Sequence, residues 1–195
     1  MKVIGLTGGI GCGKSKVAEI LKEEYNATIL LTDDIAKAQY NKGCEGYIKL
    51  CELFGSAILD NQEEIDKSAL ATIIFNDSKQ REKVNGIIHP IVRKIVEEGI
   101  DKSRRNNEKY VVVESAILVE AGYRDICDEI WFVKCDVNTR IERLMTTRGY
   151  TKEKCESIFA NQAKEDEYLR NCDYVINNDS NITKLKEIIA DIIGL

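Results

Sequence analysis

The chain has 195 residues, of which 44% are hydrophobic and 31% charged, so it can bury one substantial core. Its net charge of -5 argues against a general nucleic-acid-binding surface, because such a surface needs a concentrated positive face. No apolar run approaches the roughly 20 residues that a membrane span needs. Met1-Lys2 leads directly into a predicted strand rather than a signal peptide. We therefore expect a cytoplasmic protein, monomeric, that binds neither membranes nor nucleic acid.

Cysteine usage agrees with a reducing compartment. The seven cysteines are an odd number and form no C-x-x-C pair, which favours buried or half-buried thiols over a metal site or a disulfide framework.

A glycine-rich stretch follows the first predicted strand, residues 2–7, and precedes a predicted helix over residues 15–25. It reads Gly8-Gly9-Ile10-Gly11-Cys12-Gly13-Lys14-Ser15 and fits the phosphate-binding pattern G-x-x-x-x-G-K-[ST]. Glycines let backbone N–H groups turn inward around a polyphosphate, and the helix dipole points its positive end at the same anion. Lys14 is placed to reach the β and γ phosphates, and Ser15 supplies a hydroxyl for Mg²⁺. The stretch predicts a nucleoside triphosphate site, in which Cys12 has a packing and backbone role.

Two carboxylates follow the second predicted strand, residues 27–31. Asp33 and Asp34 stand where ligands bind in open parallel sheets, beyond the carboxyl ends of the strands. Aspartate also caps helices well, so we expect one of the two to cap the next helix and the other to be functional.

Residues 41–107 contain no strand-like run but several helical patterns, and we predict a helical insertion. The patterns are Tyr47–Phe54, Lys67–Ile74 and Ile87–Ile100. The single histidine and the single proline are adjacent, as His89-Pro90. Because proline suits the first turn of a helix, the pattern favours a helix start with a packed histidine over a ligand-binding histidine.

The next two predicted strands are Tyr110–Val113 and Glu129–Lys134. Glu114 directly follows the first of them. A carboxylate at this position either contacts Mg²⁺ through water or forms a structural hydrogen bond. A helix beginning near Val137 carries three arginines, of which Arg140 and Arg143 share a face and Arg148 precedes a glycine. We expect at least one of these arginines to bind the triphosphate, because an acidic chain must obtain positive charge for that ligand somewhere. The alternative is that all three belong to a solvated helix face.

The remaining pattern predicts a helix over Lys152–Leu169 that carries Gln162, a strand over Tyr174–Ile176 and a final amphipathic helix over Ile182–Ile193. Strands alternating with helices predict a five-stranded parallel sheet with a helical insertion and a lid. We divide the chain into a core (1–40, 108–137 and 170–195), the insertion (41–107) and the lid (138–169).

Several segments together resemble the dephospho-CoA kinases, which catalyse the last step of coenzyme A synthesis. The matching segments are Ile4–Gly11 with Gly13-Lys14-Ser15, Thr32–Ala36, His89-Pro90, Leu118-Val119-Glu120, Arg143, Gln162 and Asp173–Asn178. The resemblance implies a P-loop kinase-type three-layer α/β fold with a five-stranded parallel sheet, a helical substrate-binding insertion and a helical lid. Two other hypotheses are another small-molecule kinase on the same scaffold and a nucleotide-dependent regulatory switch.

The resemblance also implies roles for individual residues. Asp33 takes the proton from the 3′-hydroxyl of the dephospho-CoA ribose while that oxygen attacks the γ-phosphate of ATP. Lys14, Arg143 and Arg148 assist the transfer, and His89 and Arg93 join Asp33 in binding the acceptor. On the residues alone, as argued above, Ser15 is placed to hold Mg²⁺, and Glu114 either contacts that ion through water or has a structural hydrogen bond. The residues assigned to ATP are Gly8, Gly9, Gly11, Cys12, Gly13, Lys14, Ser15, Lys16 and, in a turn that resembles the family's adenine-recognising turn, Asn178.

Overall fold

A computed structural model describes residues 1–194 as alternating strands and helices. The strands are β1 (Lys2–Thr7), β2 (Thr28–Leu31), β3 (Tyr110–Glu114), β4 (Glu129–Lys134) and β5 (Tyr174–Asn177). The helices are α1 (Lys14–Tyr25), α2 (Thr32–Ala38), α3 (Glu45–Phe54), α4 (Lys67–Asn76), α5 (Ser78–Arg105), α6 (Val137–Arg148), α7 (Lys152–Ala160), α8 (Glu165–Asn171) and α9 (Ile182–Ile193). Two short 3-10 helices occupy Gly55–Ile58 and Tyr123–Asp125.

The five strands form one parallel sheet in the order β2-β3-β1-β4-β5, which confirms the predicted fold class. The central strand β1 pairs with β3 from Lys2 to Leu6 and with β4 from Ile4 to Thr7. Five of its six residues are buried, which explains the nearly continuous apolar run in the sequence. The segment that follows β1 therefore leaves from the middle of the sheet, at its carboxyl edge.

Helices α1 and α9 pack on the sheet through an extensive apolar core. Leu21 of α1, Trp131 of β4 and Ile189 of α9 are all fully buried in this core. Their burial removes large apolar surfaces from water and holds the start of α1 in register with the end of β1.

The chain divides into two compact units, one of residues 1–30 with 102–195 and the other of Leu31–Asp101. The second unit is built from helices α2 to α4 and most of α5, with a single β-bridge between Leu59 and Ile65. Leu50, Ile58 and Leu70 are buried within it. Helices thus occupy the segment for which the sequence predicts them.

Helix α5 shows that the helix start predicted at His89-Pro90 is wrong. Pro90 lies inside this 28-residue helix. An interior proline removes a hydrogen bond and crowds the carbonyl four residues earlier, which here belongs to Gly86, a residue with no neighbour within 4 Å of an added Cβ. The helix continues because its apolar stripe is buried on both sides of the proline, at Val84, Ile88, Ile91, Val92 and Val96.

The predicted continuous helix over 152–169 is also wrong, because α7 ends at Ala160 and α8 begins at Glu165. Gln162 lies in the connection, and its side chain bonds to groups outside both helices. Such long-range contacts leave no trace in the periodicity of the segment. No helix within residues 1–194 combines the length and the apolar character that a membrane crossing demands.

The core described above predicts the effect of truncating Leu21. We expect Leu21→Ala to lower the free energy of unfolding by about 2–5 kcal/mol, because it removes fully buried methyl groups and leaves a cavity. Leu169→Ala, at a side chain that is 41% exposed, is the matched control and should change it by less than about 0.5 kcal/mol. Urea unfolding followed by circular dichroism measures both. Equal losses in the two variants would contradict the position of the core.

Candidate active site

The segment between β1 and α1, named here the glycine loop (residues 8–13), has its backbone pressed against neighbouring groups. A Cβ on Gly8, where φ is 143°, would lie 2.4 Å from the carbonyl oxygen of Val133. A Cβ on Gly13, where φ is 91°, would lie 2.2 Å from Nδ2 of Asn178. The first neighbour is backbone of β4 and cannot rotate away, so only glycine fits at position 8. The loop is therefore held between the ends of β4 and β5.

Positive charge gathers where the glycine loop meets α1. The helix begins directly after Gly13, which has no side chain that could cap it. The first N–H groups of a helix and the positive end of its dipole form a ready anion site. Nζ of Lys14 donates to the carbonyl oxygen of Gly8 at 2.7 Å, so the ammonium lies against the same loop. This arrangement suits a polyphosphate.

Ser15 and Lys16 lie exposed on the first turn of α1. Nζ of Lys16 forms an ion pair with Glu19 at 2.5 Å, on the solvated side of the helix. The Ser15 hydroxyl is accessible next to the loop, as a ligand of a phosphate-bound cation must be.

Two thiols at the glycine loop are buried: Cys12 belongs to the loop, and Cys135 directly follows β4. Burial raises the pKa of the Cys12 thiol, and burial raises that of Cys135 to about 12, with a hydrogen bond to Asp179 acting in the same direction. Both thiols therefore stay protonated at neutral pH and pack as small apolar groups. Across residues 1–194 the seven cysteines are buried or half-buried thiols.

Asn178 and Arg143 connect the end of β5 with the loop. The buried Asn178 donates from Nδ2 to the carbonyl oxygen of Cys12 at 2.8 Å. Arg143 donates from Nη2 to the carbonyl oxygen of Asn178 at 2.8 Å and from Nη1 to Sγ of Cys135 at 3.3 Å. The structure thus brings both of these predicted site residues to the loop.

Arg140 and Gln162 also contact the loop, although the sequence prediction assigned neither of them to the site. Arg140 donates from Nε to the carbonyl oxygen of Ile10 at 2.9 Å and from Nη2 to Oε1 of Gln162 at 2.7 Å. Its guanidinium carbon lies 3.9 Å from the centroid of the Phe159 ring. In the sequence, Arg140 could have been found because it shares a helical face with Arg143. Gln162 could have been found because it is one of the residues that resemble the dephospho-CoA kinases.

The third arginine of α6 has a different environment. Arg148 is the exposed last residue of the helix, ahead of Gly149, whose φ is 63°. Its assigned part in the transfer stays a prediction.

Glu114 occupies the end of β3, beside the end of β1. It pairs with Leu6 in the sheet register and is half-buried. Within residues 1–194 no three side chains of histidine, cysteine, aspartate or glutamate form a metal cage.

In the unit of residues 31–101, Asp33 and Asp34 lie exposed in the first turn of α2. The prediction that one of them caps this helix is wrong, because α2 begins at Thr32 without a side-chain cap. Instead Asp34 forms an exposed ion pair with Lys37 at 2.8 Å. Helical backbone at both residues excludes the extended conformation that a cap requires.

The other two acceptor-site residues predicted from the sequence lie on α5. His89 is exposed, so the favoured interpretation as a packed histidine is wrong. Arg93, one turn later, donates from Nε to Oε1 of Glu97 at 2.8 Å.

Comparison with known proteins identifies relatives over nearly the whole chain. A profile of the family described as dephospho-CoA kinase matches residues 2–184. The dephospho-CoA kinase of Moorella thermoacetica is 39% identical over 177 residues, which cover 90% of this chain and 83% of that protein. The dephospho-CoA kinase of Geobacter sulfurreducens is 34% identical over 192 residues, 98% of this chain and 97% of that protein. The crystal structure of TT1252 from Thermus thermophilus superposes with a TM-score of 0.84 at 26% identity, covering 98% of this chain and 95% of that one.

The matched region contains every element that builds the glycine loop and its surroundings, from β1 to β5. The loop, the start of α1 and the arginines of α6 form the kind of anion site that a kinase needs for a nucleotide, and kinase membership implies ATP as the phosphate donor. The chain belongs to the dephospho-CoA kinase family and is a kinase of the P-loop type.

Proposed function

We propose that this chain transfers the γ-phosphate of ATP to the ribose 3′-hydroxyl of dephospho-CoA, giving CoA and ADP. The observation that carries the proposal is the glycine loop on the central strand, in a chain that the family profile matches from residue 2 to residue 184. In the transfer, a bond forms between the 3′-oxygen and the γ-phosphorus while the bond from that phosphorus to the bridging oxygen of ADP breaks.

The loop and its cations provide the electrostatic part of the mechanism. Lys14, Arg140 and Arg143 bring three positive charges to the glycine loop of a chain whose net charge is -5. The two arginines donate their hydrogen bonds to carbonyl, amide and thiol acceptors. The charge of Arg143 is partly balanced by the nearby Asp179 carboxylate, whose pKa the arginine helps to lower. Phosphoryl transfer depends mainly on positioning and on such charge stabilisation.

We assign the proton transfer to Asp33. The carboxylate accepts the proton of the 3′-hydroxyl as that oxygen attacks, so no proton has to leave into solvent. The assignment is supported by the resemblance and by chain position, because Asp33 stands two residues after Leu31, where β2 ends at the carboxyl edge of the sheet.

We assign Mg²⁺ to the Ser15 hydroxyl, with Glu114 as a contact through water. Both provide oxygen ligands, which Mg²⁺ prefers, and two protein groups suffice when phosphate oxygens and water complete the coordination. Held by these residues, Mg²⁺ would supply positive charge against the phosphates of the nucleotide.

The helical insertion, residues 41–107, is the proposed acceptor-binding part, with His89 and Arg93 as its recognition residues. Dephospho-CoA carries a diphosphate, and guanidinium groups bind phosphate oxygens by paired hydrogen bonds. The exposed side of α5 at His89 is accessible to such a ligand.

We further propose a cytoplasmic, monomeric enzyme that acts without nucleic acid. Buried or half-buried thiols at the cysteine positions of residues 1–194 suit a reducing compartment. The net charge of -5 disfavours a nucleic-acid surface.

Acceptor dependence tests the proposed reaction directly. We expect ADP formation, followed with a coupled assay, to require both dephospho-CoA and Mg²⁺ and to stop when EDTA removes the metal. Lys14→Met, purified in the same way, controls for contaminating kinases because it lacks the ammonium at the loop. Turnover with another acceptor from a panel of small alcohols and nucleotides, and none with dephospho-CoA, would reject the assignment.

The role of Asp33 predicts a separate result. Asp33→Asn should lower kcat by about 10²- to 10⁴-fold, the usual contribution of a general base, while the affinity for ATP stays nearly unchanged. Asp34→Asn is the matched control, since it neutralises the neighbouring carboxylate, which pairs with Lys37. Steady-state kinetics and ATP titration measure both variants. Full activity of the Asp33→Asn variant would remove this residue from the mechanism.

A further inference from the structure

We propose that Gln162 is a positioning residue that holds the Arg140 guanidinium against the glycine loop. The kinetic consequence of this inference rests on the proposed function, whereas the structural consequence does not. Gln162 is one of the residues by which the sequence resembles the dephospho-CoA kinases, but it has no role in the mechanism proposed above.

A single oxygen of Gln162 joins two elements that are far apart in the chain. Oε1 accepts from the backbone N–H of Ile10 at 3.3 Å and from Nη2 of Arg140 at 2.7 Å. An amide oxygen has two lone pairs, so it can serve both donors at once. Gln162 thereby connects the loop, α6 and the α7–α8 connection at one point.

Arg140 is fixed from three sides. Besides the bond to Gln162, its Nε donates to the carbonyl oxygen of Ile10 at 2.9 Å, and the Phe159 ring lies 3.9 Å from the guanidinium carbon. An added Cβ on Gly9 would lie 2.4 Å from Nη2 of Arg140. The missing side chain of Gly9 thus makes room for the arginine.

These contacts are not what attaches helix α8 to the sheet. Tyr168 of α8 is buried and stacks on Phe132 of β4, with ring centroids 4.8 Å apart and planes inclined by 9°. Helix α8 is therefore held on the sheet by its own apolar contact. The polar contacts of Gln162 serve instead to orient the Arg140 side chain.

Fixing Arg140 in advance matters because arginine has many rotamers. A guanidinium that is already ordered beside the loop loses less conformational entropy when charge develops on a transferring phosphate. A substitution that keeps the size of Gln162 but removes its oxygen should release the guanidinium while leaving the fold intact.

The first test is spectroscopic and does not depend on activity. In the ¹⁵N-labelled protein, the Nε–H signal of Arg140 is assigned by its loss in Arg140→Met, and its order parameter is measured by relaxation. We expect an ordered signal in the wild type and a clear fall in the order parameter in Gln162→Leu. Asn171→Leu makes the same chemical change at an exposed position of α8 and should leave the signal unchanged. An order parameter that is the same in Gln162→Leu and in the wild type would overturn the inference.

The second test is a double-mutant cycle on kcat for ADP formation with dephospho-CoA. Gln162→Leu should lower kcat roughly 10-fold or more, as loss of a hydrogen bond to a charged group does. In an Arg140→Met background the same substitution should cause no further loss, since its effect passes through Arg140. Equal losses in both backgrounds, with unfolding midpoints unchanged, would contradict a positioning role. A wild-type chain without acceptor-dependent turnover would reject the proposed function alone, and the order parameter would then decide the inference.

Discussion

The rest of the structure depends on how closely the backbone of the glycine loop approaches its neighbours. A Cβ at Gly8 would collide with a carbonyl of β4, and one at Gly13 with the amide of Asn178. Both neighbours lie at the ends of strands on the same side of β1, so the parallel sheet itself sets the shape of the loop. Close packing of the loop against a backbone carbonyl at Gly8 and a buried side-chain amide at Gly13 leaves little freedom, and the N–H groups of the loop are oriented before any anion arrives.

Although the chain as a whole is acidic, positive charge is concentrated at the glycine loop, because helix α6 places two arginines beside it. Arg140 and Arg143 are three residues apart on α6, and both reach the loop or the turn beside it. Their hydrogen-bond acceptors are neutral carbonyl, amide and thiol groups, which orient the guanidinium groups, and the Asp179 carboxylate balances part of the charge of Arg143. Elsewhere on the surface, ion pairs such as Lys184 with Glu187 join cations to carboxylates. The site thus keeps charge for a ligand.

Local patterns predicted most elements well, and the failures share one cause. The strand Glu129–Lys134 and the helix Ile182–Ile193 have the predicted bounds because a short apolar run and an amphipathic period with capping residues are local signals. The helix start at Pro90 failed because the burial of apolar side chains on both sides of the proline outweighs the local preference. The break at Gln162 was missed because contacts with Ile10 and Arg140 accompany it, and neither is a sequence neighbour.

By itself the sequence determined the parallel α/β fold, the glycine loop with Lys14 and Ser15, and the family, because each depends on residue types at fixed short spacings. Only the tertiary structure decided which side chains surround that loop. Arg140 and Gln162 belong to it because α6 and the α7–α8 connection fold over Ile10, while Arg148, on the same helix as Arg140, ends exposed. Distances between residues far apart in the chain arise from packing, and no spacing along the chain encodes them.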